Sequence, residues 1–237
     1  MKLNESVALV TGAGRGIGRA IAATLARQGS TVVLTARTWK ELEVVRAEIE
    51  SHGGKAVSLQ ADITQDDQVE KLFNEISSRF RRLDVLVNNA GFGLFAPVRD
   101  LSVDEFDSMW KLNMRALFLC TQQALKLMEP QKSGIVVNVS SLAGKNAFVG
   151  GAGYSATKWA LMGFSKTLML EVREHNIRVI TICPGSVDTS FSQHERNSER
   201  SERVLHPQDV ADAVLAAMTL PERAMVSEID IRPTNPK

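Results

Sequence analysis

The 237-residue chain is 44% apolar and carries 28 basic against 27 acidic residues, a net charge of +1. That balance offers no electrostatic footprint for nucleic acid or an anionic membrane, and no apolar run is long enough to span a bilayer. The size fits one large α/β domain, 1–237, better than two small ones.

In chain order, residues 1–6 lead straight into an apolar run at 7–10, so no signal peptide is expected. Further short apolar runs lie at 31–35, 56–59, 85–87, 135–139, 179–182 and 225–231. Segments of helical period separate them, at 17–28, 39–52, 65–80, 103–128, 152–174 and 208–218. Such alternation predicts a parallel sheet with buried strands and helices on both faces. Gly29, Gly53 and Gly134 follow helical segments, where a left-handed C′ residue is favoured. Ser102 and Glu105 form a capping box before the long middle helix, and Pro207 suits the first turn of the last one. Cys120 and Cys183 lie in apolar stretches and read as core thiols, which points to a reducing, cytoplasmic compartment.

The first strand runs into Thr11-Gly-Ala-Gly-Arg-Gly-Ile-Gly18, with a helix beginning near Gly16. A glycine turn at a strand–helix junction lets backbone N–H groups approach a pyrophosphate, and the helix dipole favours the anion. The spacing Gly12, Gly16, Gly18 differs from the common G-x-G-x-x-G fingerprint. At the end of the second strand, where an NAD enzyme carries an acid for the adenosine ribose, the chain reads Thr35-Ala36-Arg37. Arg37, with Arg15 in the glycine turn, suits the 2′-phosphate of NADP(H). Asp62, followed by Ile63, comes after the third strand and is placed to accept from an adenine amine. Asn88-Asn-Ala-Gly91 follows the fourth strand, at the sheet edge where ligands bind in such folds.

Tyr154 and Lys158 stand at i and i+4, on one helix face, and Tyr154 is the only tyrosine in the chain. Ser141 precedes it by thirteen positions. A free phenol titrates near 10, so a neighbouring ammonium, together with an oxidised nicotinamide, is expected to lower it for proton exchange.

These pieces, with Asn113, Pro184-Gly185 and Thr189, run in an order and spacing that resembles the short-chain dehydrogenase/reductase family across nearly the whole chain. The resemblance implies a single Rossmann-type doubly wound domain, with a seven-stranded parallel sheet and three helices on each face. It implies a homotetramer or homodimer built partly through segments 103–128 and 152–174. By resemblance, Tyr154 is the proton donor, Lys158 tunes it and holds the nicotinamide ribose, and Ser141 holds the carbonyl oxygen. Asn113 orders a water linking Lys158 to solvent. The implied cofactor contacts are Gly12, Arg15, Gly16, Ile17, Gly18, Arg37, Asp62, Ile63, Asn89, Ala90, Gly91, Tyr154, Lys158, Pro184, Gly185, Val187 and Thr189; no metal is implied.

The family's substrate lid falls at 189–206. Its large apolar residues are Phe191, Val204 and Leu205, among Arg196, Arg200 and Arg203, and a lid so short and polar argues against a deep steroid pocket. Its cations suit a substrate carboxylate or an acyl carrier protein; the other reading is a solvated helix with pairs such as Glu199–Arg203. Much of the chain is similar to the 3-oxoacyl-(acyl-carrier-protein) reductases of the family. The ending at 228–237 lacks their closing Gly-Gly and is more similar to NADP-dependent reductases and 3-hydroxy-acid dehydrogenases. The expected activity is NADPH-dependent reduction of a small ketone or a 3-oxo acid or ester. The alternatives are a carrier-bound 3-oxoacyl thioester as substrate, or a non-catalytic NADP sensor.

Overall fold

A computed structural model describes residues 3–191 and 203–235. Its strands are β1 (Val7–Thr11), β2 (Thr31–Thr35), β3 (Lys55–Ser58), β4 (Val85–Asn88), β5 (Gly134–Val139), β6 (Ile177–Pro184) and β7 (Glu228–Ile231). All pair in parallel, in the order β3-β2-β1-β4-β5-β6-β7. The order reverses between β1 and β4, so the crevice beyond their C-terminal ends is the ligand position of such a sheet.

The helices are α1 (Gly16–Arg27), α2 (Trp39–Ser51), α3 (Asp66–Phe80), α4 (Val103–Trp110), α5 (Leu117–Gln131), α6 (Ala152–Val172) and α7 (Pro207–Met218). Alternate strand residues feed two cores. Ala8 and Val10 of β1 pack with α1, α2 and α7, through Ile21, Val45 and Val214. Val7 and Leu9 point the other way, to Phe73 of α3, Cys120 of α5 and Val172 of α6. Both cysteines are buried free thiols, as expected.

The Ser102–Glu105 capping box is present, and Pro207 opens α7. Gly29 and Gly53 take the left-handed conformation expected after helices, with φ of 88° and 76°. Gly134 does not: it begins β5, and Lys132, φ 51°, turns the chain instead. Glycine is needed at 134 because a side-chain carbon there would lie 2.6 Å from Met128 Sδ. The expected single helix at 103–128 is also corrected. A π-turn, Lys111–Ala116, interrupts it and separates α4 from α5.

Candidate active site

The glycine turn between β1 and α1 is held from below by Asn89. Its Nδ2 donates to the Thr11 carbonyl (2.9 Å) and the Gly12 carbonyl (3.3 Å). Thr11 Oγ1 accepts from the N–H groups of Asn89 and Ala90, which ties β1 to the chain leaving β4. Gly12 and Gly16 take φ of 64° and 56°, a region closed to most side chains. No side chain caps the N-terminus of α1 and its first turn holds no acid, so its amide N–H groups stay open to an anion.

A cleft of about 850 Å³ extends from this turn to Tyr154. Every residue assigned to the cofactor from sequence lines it except Gly18. Gly18 instead allows α1 to pack on the turn, because a side-chain carbon there would lie 2.5 Å from Asn89 Nδ2 and would overlap the Gly12 carbonyl. Asn88, expected along the cleft, is also corrected. It is buried within the sheet, where its Nδ2 donates to Thr121 Oγ1 (3.0 Å) and Asn138 Oδ1 (2.9 Å).

At one end of the cleft, Arg37 has no ion pair among the described residues, and Arg15 makes only a 4.0 Å exposed contact with Glu41. Glu41, at the start of α2, is an acid the sequence reading missed; a helical acid carries no mark of facing a turn formed earlier in the chain. Asp62 lines the wall, with Oδ1 accepting from the Thr64 N–H and hydroxyl. The open helix end and the two cations fit a dinucleotide bearing an extra phosphate.

At the other end stand Ser141, Tyr154 and Lys158, as expected. Ser141 lies just beyond β5, while Tyr154 and Lys158 lie on α6, which packs against β6. Lys158 is 4% exposed and its Nζ donates to the Val139 carbonyl at 2.9 Å. Burial pushes the Tyr154 phenol up to about 12, against a lowering by the Ser141 hydroxyl. Burial brings the Lys158 ammonium down to about 8. Lys158 Nζ lies 5.8 Å from the ring centre and is itself short of solvation, so burial dominates the phenol's shift.

Asn113, in the π-turn, lies behind the cleft. Its Nδ2 donates to the Phe92 carbonyl (2.8 Å) and Thr157 Oγ1 (3.1 Å), and its Oδ1 accepts from the Phe92 N–H (3.0 Å). The side-chain amide thus fixes the loop after Gly91 and joins it to α6. The aromatic residues Phe92, Phe95 and Phe148 also line this end and were not picked out from sequence. Their one signal was an unexplained set of phenylalanines in loops after β4 and β5. Thr189, Phe191 and Val204 of the expected lid line the cleft, whereas Arg196, Arg200 and Glu199 lie outside the described residues.

Among solved structures, a metagenomic short-chain oxidoreductase in complex with NADP is 37% identical, with a TM-score of 0.88 and 99% of each chain covered. An alcohol dehydrogenase from the archaeon Thermococcus sibiricus, complexed with 5-hydroxy-NADP, is 31% identical with a TM-score of 0.91, covering 98% of this chain and 97% of that one. An uncharacterized oxidoreductase of Staphylococcus aureus (strain USA300) is 37% identical over 231 residues, 98% of each chain. A 3-oxoacyl-[acyl-carrier-protein] reductase of Synechocystis sp. is 35% identical over 232 residues, 95% of this chain and 94% of that one. The family model for short chain dehydrogenases matches residues 6–200. With a doubly wound seven-stranded sheet and a serine, tyrosine and lysine gathered at its C-terminal edge, the chain belongs to the short-chain dehydrogenase family.

Proposed function

We propose that the protein is an NADP(H)-dependent oxidoreductase that reduces a small ketone, or a 3-oxo acid or ester, to an alcohol. The observation that carries this reading is one cleft with a doubly cationic anion cradle at one end and Ser141, Tyr154 and Lys158 at the other. Arg15 and Arg37 would hold the 2′-phosphate, and the α1 amides the pyrophosphate. When bound, the reduced nicotinamide supplies a hydride to the carbonyl carbon. Tyr154 donates its proton to the carbonyl oxygen, and its raised phenol stays protonated for that task at neutral pH. Ser141 donates to the same oxygen as charge develops on it. Lys158, as the cation, stabilises the phenolate left behind.

The test is NADPH oxidation followed at the nicotinamide absorbance, with ethyl acetoacetate against acetoacetyl thioesters. Turnover of the free ester supports the reading; turnover only of the carrier-bound thioester favours 3-oxoacyl-(acyl-carrier-protein) reduction, which the Synechocystis relative supports. NADPH binding with no carbonyl turned over would favour a sensor, a reading that the intact Tyr154–Lys158 pair argues against.

No helix among the described residues is long and apolar enough to cross a membrane. The buried free thiols support a reducing, cytoplasmic setting. Val103, Phe106, Phe118, Trp159 and Leu170 are exposed on α4, α5 and α6, which supports a homodimer or homotetramer formed through this face. Light scattering tests the assembly.

A further inference from the structure

Tyr154 stands in a half-ring of phenylalanines that the proton-transfer chemistry does not use. The Phe95 ring meets the Tyr154 ring edge-on, with centres 5.5 Å apart and planes at 80°. Phe148 lies 5.8 Å beyond Phe95, and Phe191 lies 5.6 Å from Tyr154 on another side. Loops after β4 and β6 therefore each bring a ring to the phenol, and a third, after β5, brings Phe148 against Phe95.

Two glycines make room for this arrangement. A side-chain carbon at Gly93 would lie 2.8 Å from Phe95 Cζ, 3.0 Å from Tyr154 Cδ2 and 3.3 Å from Phe191 Cζ. One at Gly151 would lie 2.6 Å from Phe148 Cε2. Met109, Ala143 and Leu101 pack with the phenol in an apolar cluster. On the cleft side, Phe95 and Phe148 remain 48% exposed and Phe191 40%. Aromatic area of this size gains free energy when a partner removes it from water.

Polar residues lining the cleft beside these loops include Ser141, Asn146, Asp188 and Ser190. The Ser141 and Tyr154 hydroxyls lie within hydrogen-bonding reach of one another. Of the described cations lining the cleft here, Lys158 donates to the Val139 carbonyl at 2.9 Å and Arg232 is drawn toward Asp230 at 3.4 Å. Among the described residues, the side chains packed around the Tyr154 ring include the aromatic rings of Phe95 and Phe191.

We propose that the carbonyl substrate carries an aryl ring, received between Phe95, Phe148 and Phe191 beside Tyr154. This rests on the reading of the site as a carbonyl-reducing centre. Tilted and edge-on rings at 5.5–5.8 Å are the spacing at which aromatic groups pack on one another, and a planar substrate ring continues the series. A flexible alkyl chain gains area burial there but not ring–ring packing.

The experiment uses three esters that differ only beyond the ketone: ethyl benzoylacetate, ethyl acetoacetate and ethyl 3-oxohexanoate. Turnover with NADPH is measured for each, as is calorimetric binding to the protein with NADP+. The expected kcat/KM for the benzoyl ester exceeds both others by about tenfold or more. Phe95→Ala and Phe148→Ala are expected to lower the benzoyl-to-acetyl ratio by about tenfold. Equal kcat/KM for ethyl benzoylacetate and ethyl 3-oxohexanoate, or a ratio that these substitutions leave alone, overturns the proposal while carbonyl reduction stands. If no ester turns over but the benzoyl ester binds, and binds more weakly to both variants, the aryl site stands and the reductase reading fails. If no ester turns over and the benzoyl ester does not bind in preference to the others, the aryl site is refuted.

Discussion

Tyr154 and Lys158 lie one turn apart on α6, and the same burial drives them in opposite directions. The phenol is pushed up to about 12 and the ammonium down to about 8, because each buried group disfavours its charged form. Lys158 thus loses its proton below its ordinary 10.5, and at neutral pH the folded state carries a poorly solvated cation. That strain costs roughly 3 kcal/mol and is relieved as pH rises from about 8 to 10.5, since the folded protein binds fewer protons than the unfolded chain over that window. Lys158→Met is expected to stabilise the cofactor-free protein at pH 7 by about 1–2 kcal/mol, net of the bond lost to the Val139 carbonyl. It is also expected to flatten the rise in stability between pH 8 and 10.5 and to abolish turnover. Urea unfolding across pH checks the sign, and a destabilised variant at pH 7 contradicts it.

The same shifts predict a pH profile. The kcat/KM for NADPH, which reports the free protein, is expected to fall as pH rises through about 8, where Lys158 loses its charge. Tyr154 adds no limb in the neutral range because its proton is held to about 12. A profile flat from pH 6 to 10 would show that the ammonium is not needed.

Tyr154→Phe keeps the ring that Phe95 and Phe191 pack against and removes only the hydroxyl. The fold and the Kd for NADPH are expected to stay close to those of the unaltered protein. Turnover is expected to fall by about 10²–10⁴-fold, the range of a lost general acid. Stopped-flow hydride transfer and fluorescence titration separate the two effects, and retained turnover refutes the assignment.

What the sequence made legible was local. The glycine turn, the i, i+4 pairing of Tyr154 with Lys158 and the strand–helix alternation each lie within a few residues of chain, so their geometry follows from the backbone period. Asn88 and Asn89 mark the limit of that reading. They are adjacent, yet one is sealed between β4, β5 and α5 while the other holds the glycine turn, a split fixed by the pairing of Asn88 with Asn138 across the sheet. Phe95 and Phe148 are separated by more than fifty residues and meet only when loops after two neighbouring strands converge. The phenol's raised pKa was equally hidden, because it comes from tertiary burial rather than from its neighbour four residues on.

Arg37 is free of ion pairs among the described residues and faces the cleft, so its charge is available to a phosphate. Arg37→Asp replaces that partner with an acid able to accept from a ribose hydroxyl. The ratio of kcat/KM for NADPH to that for NADH is expected to drop by about one to two powers of ten, the value of a charge-assisted hydrogen bond or two. Steady-state kinetics with both cofactors measures it, and an unchanged ratio assigns the discrimination elsewhere.

Gly18 tests whether the cradle depends on how closely α1 approaches the turn. Its φ is ordinary, so alanine meets no backbone strain there; the difficulty is space. The added methyl would lie 2.5 Å from Asn89 Nδ2 and overlap the Gly12 carbonyl, and neither is the loose end of a flexible side chain. Asn89 is itself bonded to Thr11 and Gly12, so any shift of its amide releases the turn that Gly12 and Gly16 shape. Gly18→Ala is expected to cost about 1–3 kcal/mol, the range for overpacking a tight site. It is expected to lower Tm by several degrees and to raise the Kd for NADPH, because the displaced turn no longer presents the α1 amides to the pyrophosphate. Thermal unfolding with and without NADPH checks both effects. A variant that loses stability but binds NADPH unchanged would show that the glycine serves packing alone.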